Sequence, residues 1–208
     1  MDTTSGQKSP GAWLFNPFTY IAGWQALFLG LAAILAAGYI GSLSNSHFDG
    51  VLDNHTGRAA PLWIFLSEGL IDWLALGIVL LVFGKIASRT KFRTLDLLGT
   101  QAMARWPMIL IAIAAFPDAG KRVGTYLLES IRNPSGAMPP SGLDMAIFGL
   151  CAVFAILMIC WFVVLSYRSY SVSCNVKGGK AIGTFIAGIL IAEVLSKILI
   201  SWIFNLAQ

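Results

Sequence analysis

Charge is what this sequence has least of. Only 12% of its 208 residues are Asp, Glu, Lys or Arg, about half the share of an ordinary globular domain. With 57% hydrophobic residues and a mean hydropathy of +0.74, that shortage excludes a soluble domain of the usual kind and points to a membrane protein. Histidine is scarcer still: the two present, His47 and His55, share one polar loop. No histidine lies in an apolar run, and no His-Glu-x-x-His or Gly-x-Ser-x-Gly motif occurs. The residues of an intramembrane metalloprotease or serine hydrolase are therefore missing. So is the paired-glutamate and histidine pattern of intramembrane CAAX-type proteases, and the expectation is that the protein is not an enzyme. The three cysteines, Cys151, Cys160 and Cys174, form neither a disulfide framework nor a zinc motif. The net charge of +4 comes without a basic, aromatic-interleaved surface, so nucleic acid is not an expected partner.

What the sequence does have is five long apolar runs, at residues 21–43, 62–84, 94–116, 143–167 and 181–204. Each is long enough to cross a bilayer as a helix. The expected fold is an all-α membrane protein with five transmembrane helices. Residues 1–20 form a polar tail and interfacial aromatic segment, and 21–204 a single domain. Residues 1–12 read as disordered, and Asn16-Pro17 as an N-cap with proline at the first helical position. One base, Lys8, precedes a first run too long for a signal-peptide core, so that segment reads as retained. Ala22, Ala26, Gly30, Ala33, Ala37 and Gly41 make a small-residue stripe along the first span, a packing face. Pro107 predicts a break in the third span by freeing the Met103 carbonyl. Between spans three and four, Val123, Tyr126, Leu127 and Ile131 share one face of a short helix expected to lie on the membrane surface.

Orientation follows from the basic residues. With the N-terminus inside, Lys8, Lys85, Arg89, Lys91, Arg93, Arg168, Lys177 and Lys180 are cytoplasmic; Arg58, Lys121, Arg122 and Arg132 are outside. The excess on one side predicts a cytoplasmic N-terminus and an external C-terminus.

Five ionisable side chains fall within the spans: Glu68, Asp72, Arg105, Glu193 and Lys197. Facing lipid, a central charge costs roughly 2.5–3.5 kcal/mol, so these must face one another or a polar cavity. Their depths predict two layers, Glu68 with Lys197 and Arg105 with Asp72 and Glu193. The formal sum of −1 requires a proton or a bound cation. Such a set either fixes helix register or serves a transport path, proton relay or ligand site, unless some members reach an interface. In the polar loop, His47, Asp49, Asp53 and His55 offer two imidazoles and two carboxylates, a possible donor set for a divalent metal. The spacing matches no established metal loop, and a solvated or capping loop collects the same residues.

Three stretches resemble bacterial members of the Yip (Ypt/Rab-interacting protein) membrane family. They are Asn16-Pro17-Phe18 with Gly23-Trp24, the loop His47-Phe48-Asp49-Gly50-Val51-Leu52-Asp53-Asn54-His55, and Ala192-Glu193-Val194-Leu195-Ser196-Lys197-Ile198-Leu199. The likeness covers about residues 13–200. It implies a five-span bundle with a cytosolic N-terminus in the bacterial inner membrane. It also implies a non-enzymatic scaffold or membrane-trafficking role, and adds weight to a function for His47, Asp49, Asp53 and His55. The expected partners are the lipid bilayer and other membrane proteins, as homo- or hetero-oligomers. Eukaryotic relatives bind Rab-type GTPases, but this chain lacks their long N-terminal region and Asp-Leu-Tyr-Gly-Pro stretch, which argues against a GTPase partner. The alternative is a small transporter, channel or lipid-moving protein that uses the buried charges.

Overall fold

The computed structural model describes residues 10–134 and 136–206. Of the tail expected to be disordered, residues 1–9 lie outside the described residues, while 10–12 belong to a short helix, α1 (Pro10–Phe15). Asn16 then occupies the N-cap position and Pro17 the first position of one 3-10 turn, Pro17–Thr19. The Asn16 side chain makes no capping bond there. The first span, α2 (Gly23–Ser44), begins six residues after Pro17.

A two-residue antiparallel pair, β1 (Ser46–His47) and β2 (His55–Thr56), closes the connection after α2. Next come α3 (Leu62–Ala87), α4 (Thr94–Ala104), α5 (Pro107–Ala114), α6 (Ala119–Arg132), α7 (Gly142–Ser173) and α8 (Gly178–Leu206). Counting α4 and α5 together, five helices among the described residues are long and apolar enough to cross a membrane. Helix is the form such runs take in lipid, because it satisfies every interior N–H and C=O within the segment. Many large apolar side chains face outward, among them Phe28, Ile86 and Leu150, as a bilayer solvent allows.

The third span breaks where proline demands it. Pro107 has no N–H, and Trp106 N–H turns back to the Met103 carbonyl at 3.3 Å in 3-10 fashion. The freed acceptor is thus satisfied, and Arg105 sits at the joint between α4 and α5. Polar seams fix α4 against α7. Gln101 Nε2 donates to the Ser166 carbonyl at 2.9 Å, and Ser166 Oγ returns a bond to Gln101 Oε1 at 2.6 Å. Ser169 Oγ donates to Thr100 Oγ1 at 2.7 Å one turn along.

Most of the small-residue stripe is a packing face. Ala26, Gly30, Ala37 and Gly41 are buried and Ala33 is half-buried, while Ala22 lies exposed just before α2, which packs most extensively on α4. A Cβ on Gly30 would lie 2.3 Å from the carbonyl carbon of Ala102, which is backbone and cannot rotate away. Gly30→Ala is therefore expected to destabilise the bundle by about 1–3 kcal/mol through forced separation of α2 and α4. Thermal melting in detergent checks this against Gly149→Ala, where an added Cβ meets nothing within 4 Å. Equal midpoints for the two variants would rule out the close approach.

Candidate functional site

The connection between α2 and α3, expected to be a surface loop, folds into the bundle instead. Asn45 adopts a left-handed conformation (φ 54°) that ends α2 and reverses the chain. His47 then pairs across the hairpin with His55, and Ser46 with Thr56. The Asn54 amide closes the tip by donating to Ser46 Oγ at 2.8 Å and to the His47 carbonyl at 3.1 Å. Ser46, His47, Phe48 and Val51 are buried, the last two in the central apolar core. Gly50 permits the tip to rest on α8: a Cβ there would fall 2.4 Å from Glu193 Oε1 and 2.9 Å from Lys197 Cε.

This inward fold overturns the expected upper layer. Glu68 pairs with His47, not with Lys197. His47 Nδ1 lies 2.7 Å from Glu68 Oε1, and the Phe48 N–H donates to Glu68 Oε2 at 3.0 Å. His47 Nε2 is 2.8 Å from the Arg58 carbonyl, which only accepts, so Nε2 carries a hydrogen. Burial opposes the charged imidazole. The Glu68 hydrogen bond, the Arg58 carbonyl and the Glu68 charge outweigh it and raise His47 above its ordinary 6.5. A proton on His47, beside Glu68, would offset the charge sum of −1.

The lower layer is half as expected. Arg105 Nη2 donates to Asp72 Oδ2 at 3.0 Å, with both side chains buried, and the guanidinium carbon stands 5.3 Å from the centre of the Phe162 ring. Glu193 does not join them. Its Oε2 accepts the Leu52 N–H at 2.9 Å and its Oε1 lies 3.4 Å from Lys197 Nζ. Lys197 also donates to Asp53 Oδ2 at 2.6 Å. The reason is the hairpin: it brings its own donors and acceptors to the ends of α3 and α8, so Glu68, Glu193 and Lys197 pair with it. A depth argument restricted to the spans left these partners out.

Around the hairpin's open side, His55 Nδ1 stands 3.3 Å from Asp49 Oδ1. The His55 ring beside it holds Asp49 below its ordinary 3.8, and Asp49 in turn raises His55 above 6.5. The contact is an ion pair, since Asp49 Oδ1 accepts no well-aligned hydrogen bond among the described residues. Donor atoms of Asp49, Asp53 and His55 come within 4.8 Å of one another and could hold a divalent cation. His47 leaves that expected set, because both its ring nitrogens are engaged. The Lys197 ammonium already supplies positive charge to Asp53, so a metal would compete with it.

Three cavities define what the site can admit. The one beside Arg105, also touching Phe48, Phe65 and Met108, measures about 10 Å³, room for one water at most. A second, about 430 Å³, lies between the hairpin and the end of α8, bordered by Asp49, His55, Arg58, Lys197 and the apolar Ile200 and Phe204. A third, about 450 Å³, runs between α5, α6 and α7 and is apolar except where Asn54, His55 and Thr56 close one end. His55 borders both larger cavities. No residue motif in the sequence signals either cavity. The three cysteines are free thiols, as their spacing implied. No protein-family model, no curated protein and no solved structure matches this chain.

Proposed function

We propose that this chain is a non-enzymatic scaffold of the bacterial cytoplasmic membrane, of the kind its Yip-like stretches imply, with a cytoplasmic N-terminus and the hairpin on the outer face. One observation carries the reading. Asp72 and Arg105, the deepest ion pair, are sealed in protein beside a cavity of about 10 Å³, which favours helix glue over a conducting path. The remaining span charges hold the hairpin onto α3 and α8, Glu68 from within the core and the more exposed Glu193 and Lys197 from α8. In this arrangement α6 lies along the membrane surface: its Leu127, Leu128 and Ile131 are exposed on the helix that carries Lys121, Arg122 and Arg132. The second reading, a transporter or lipid-moving protein, draws its support from the two larger cavities and not from Arg105.

Two measurements test this. In liposomes containing the purified protein, proton flux is expected to equal that of protein-free liposomes; a flux abolished by Asp72→Asn would overturn the scaffold reading. A reporter active only outside the cytoplasm is expected to be active when fused after Gln208 and silent when inserted at Arg89. The reverse pattern would invert the proposed orientation.

A further inference from the structure

The two larger cavities meet at one residue, and their characters differ. The cavity at the end of α8 is bordered by Arg58, Lys197 and His55 on one side of the charge balance and Asp49 on the other, beside the apolar Ile200 and Phe204. Asp49 is matched by His55, and Lys197 is shared by Asp53 and Glu193. Arg58 is different: among the described residues its guanidinium makes no ion pair or hydrogen bond. The structure therefore presents, among the described residues, one unpaired cation at the rim of this cavity.

The neighbouring cleft is apolar and long. Its wall on α7 runs from Ile147 to Ile159, roughly 18 Å at 1.5 Å per residue. That is a little more than one leaflet of a hydrocarbon core about 30 Å thick. Small side chains keep it open: Cys151, Ala152 and Ala155 on α7 face Gly120 and Gly124 on α6. A Cβ added at either glycine would meet no atom within 4 Å. Beyond the cleft α7 exposes Leu143 and Leu150, and Ile156 on its wall is exposed too, so it opens toward the side where acyl chains would lie.

We propose that a phospholipid binds at the hairpin end, its phosphate at Arg58 beside His55 and Lys197, and one acyl chain in the cleft between α5, α6 and α7. The anion matches the unpaired guanidinium, and the cleft spans the depth that an acyl chain occupies below its headgroup. His55, on the wall shared by both cavities, stands where head and chain join. The site is independent of the scaffold reading, because a sealed Asp72–Arg105 pair is compatible with a bound lipid or with none.

The full-length protein, stripped of lipid in detergent, is titrated with dioleoyl phosphatidylglycerol and read by native mass spectrometry. One lipid per chain is expected. Gly124→Phe, which fills the cleft, is expected to weaken binding at least tenfold, and Arg58→Gln about tenfold. Dioleoylglycerol, which lacks the phosphate, is expected to bind as weakly as Arg58→Gln binds the phospholipid. Thermal melting confirms that each variant is folded; if Gly124→Phe is not, Gly120→Leu replaces it. Full binding by a folded cleft-filled variant would overturn the proposal. So would binding indifferent to Arg58, displacement of the lipid by equimolar inorganic phosphate, or a dimer broken by Gly124→Phe that retains no lipid.

Discussion

Replacing Arg105 by leucine is expected to destabilise the protein by about 3–5 kcal/mol, the loss found when one partner of a buried ion pair is removed. Asp72 is fully buried and accepts from Arg105 Nη2 at 3.0 Å. Without that donor the carboxylate is left with little more than the neighbouring Ser196 hydroxyl, at a depth where lipid and protein both fail to solvate it. The pair itself is imperfect, since Asp72 Oδ1 and Arg105 Nη1 are both buried without a hydrogen bond in protein. Removing both charges should therefore cost little. The double variant Asp72→Leu/Arg105→Met is expected to recover most of the loss, and can even exceed the parent, as apolar replacements of buried pairs do elsewhere by about 1–4 kcal/mol. Unfolding of the parent, both single variants and the double variant in the same detergent gives the coupling energy directly. If Arg105→Leu unfolds like the parent, Asp72 has another source of solvation and the sealed-core argument fails.

How legible this was in the sequence depends on range. The five spans, the break at Pro107 and the α2 packing stripe are local properties of hydropathy, backbone chemistry and side-chain size, and they can be read one segment at a time. The Asp72–Arg105 pair also follows from the sequence, because two opposite charges at one depth have few alternatives in lipid. The hairpin does not follow. Nothing in His47-Phe48-Asp49-Gly50 states that Phe48 enters the core, or that Gly50 is small so that Glu193 and Lys197 can press against it. Those contacts join residues more than a hundred positions apart and depend on where α8 ends relative to α3. The consequence is specific. Counting charges within the spans alone left Glu68 without its partner, and that partner, His47, lies in a loop.

His47→Phe is expected to be as damaging as Arg105→Leu, about 3–5 kcal/mol, because it strands Glu68 in the core with a single backbone N–H. The wild-type pair also makes a pH signature. His47 binds its proton more tightly in the fold than in the unfolded chain, through Glu68 and the Arg58 carbonyl acting against burial and the nearby His55. Its contribution is therefore complete below the unfolded value of 6.5 and is lost as pH rises through the higher folded value. His55, raised by Asp49, adds a loss in the same direction, which His55→Asn removes. Asp49, lowered by His55, acts on the other flank: its contribution is present above 3.8 and fades as pH falls through the folded value. Stability in a His55→Asn background is thus expected to be greater at pH 6 than at pH 9. Glu68→Gln should flatten that difference, since a neutral amide can accept the Phe48 N–H and donate to neutral His47 without favouring its protonation. Chemical unfolding at the two pH values decides the matter. Stability that is flat or rises toward pH 9 with Glu68 in place would show that the proton linking hairpin and bundle does not reside on His47.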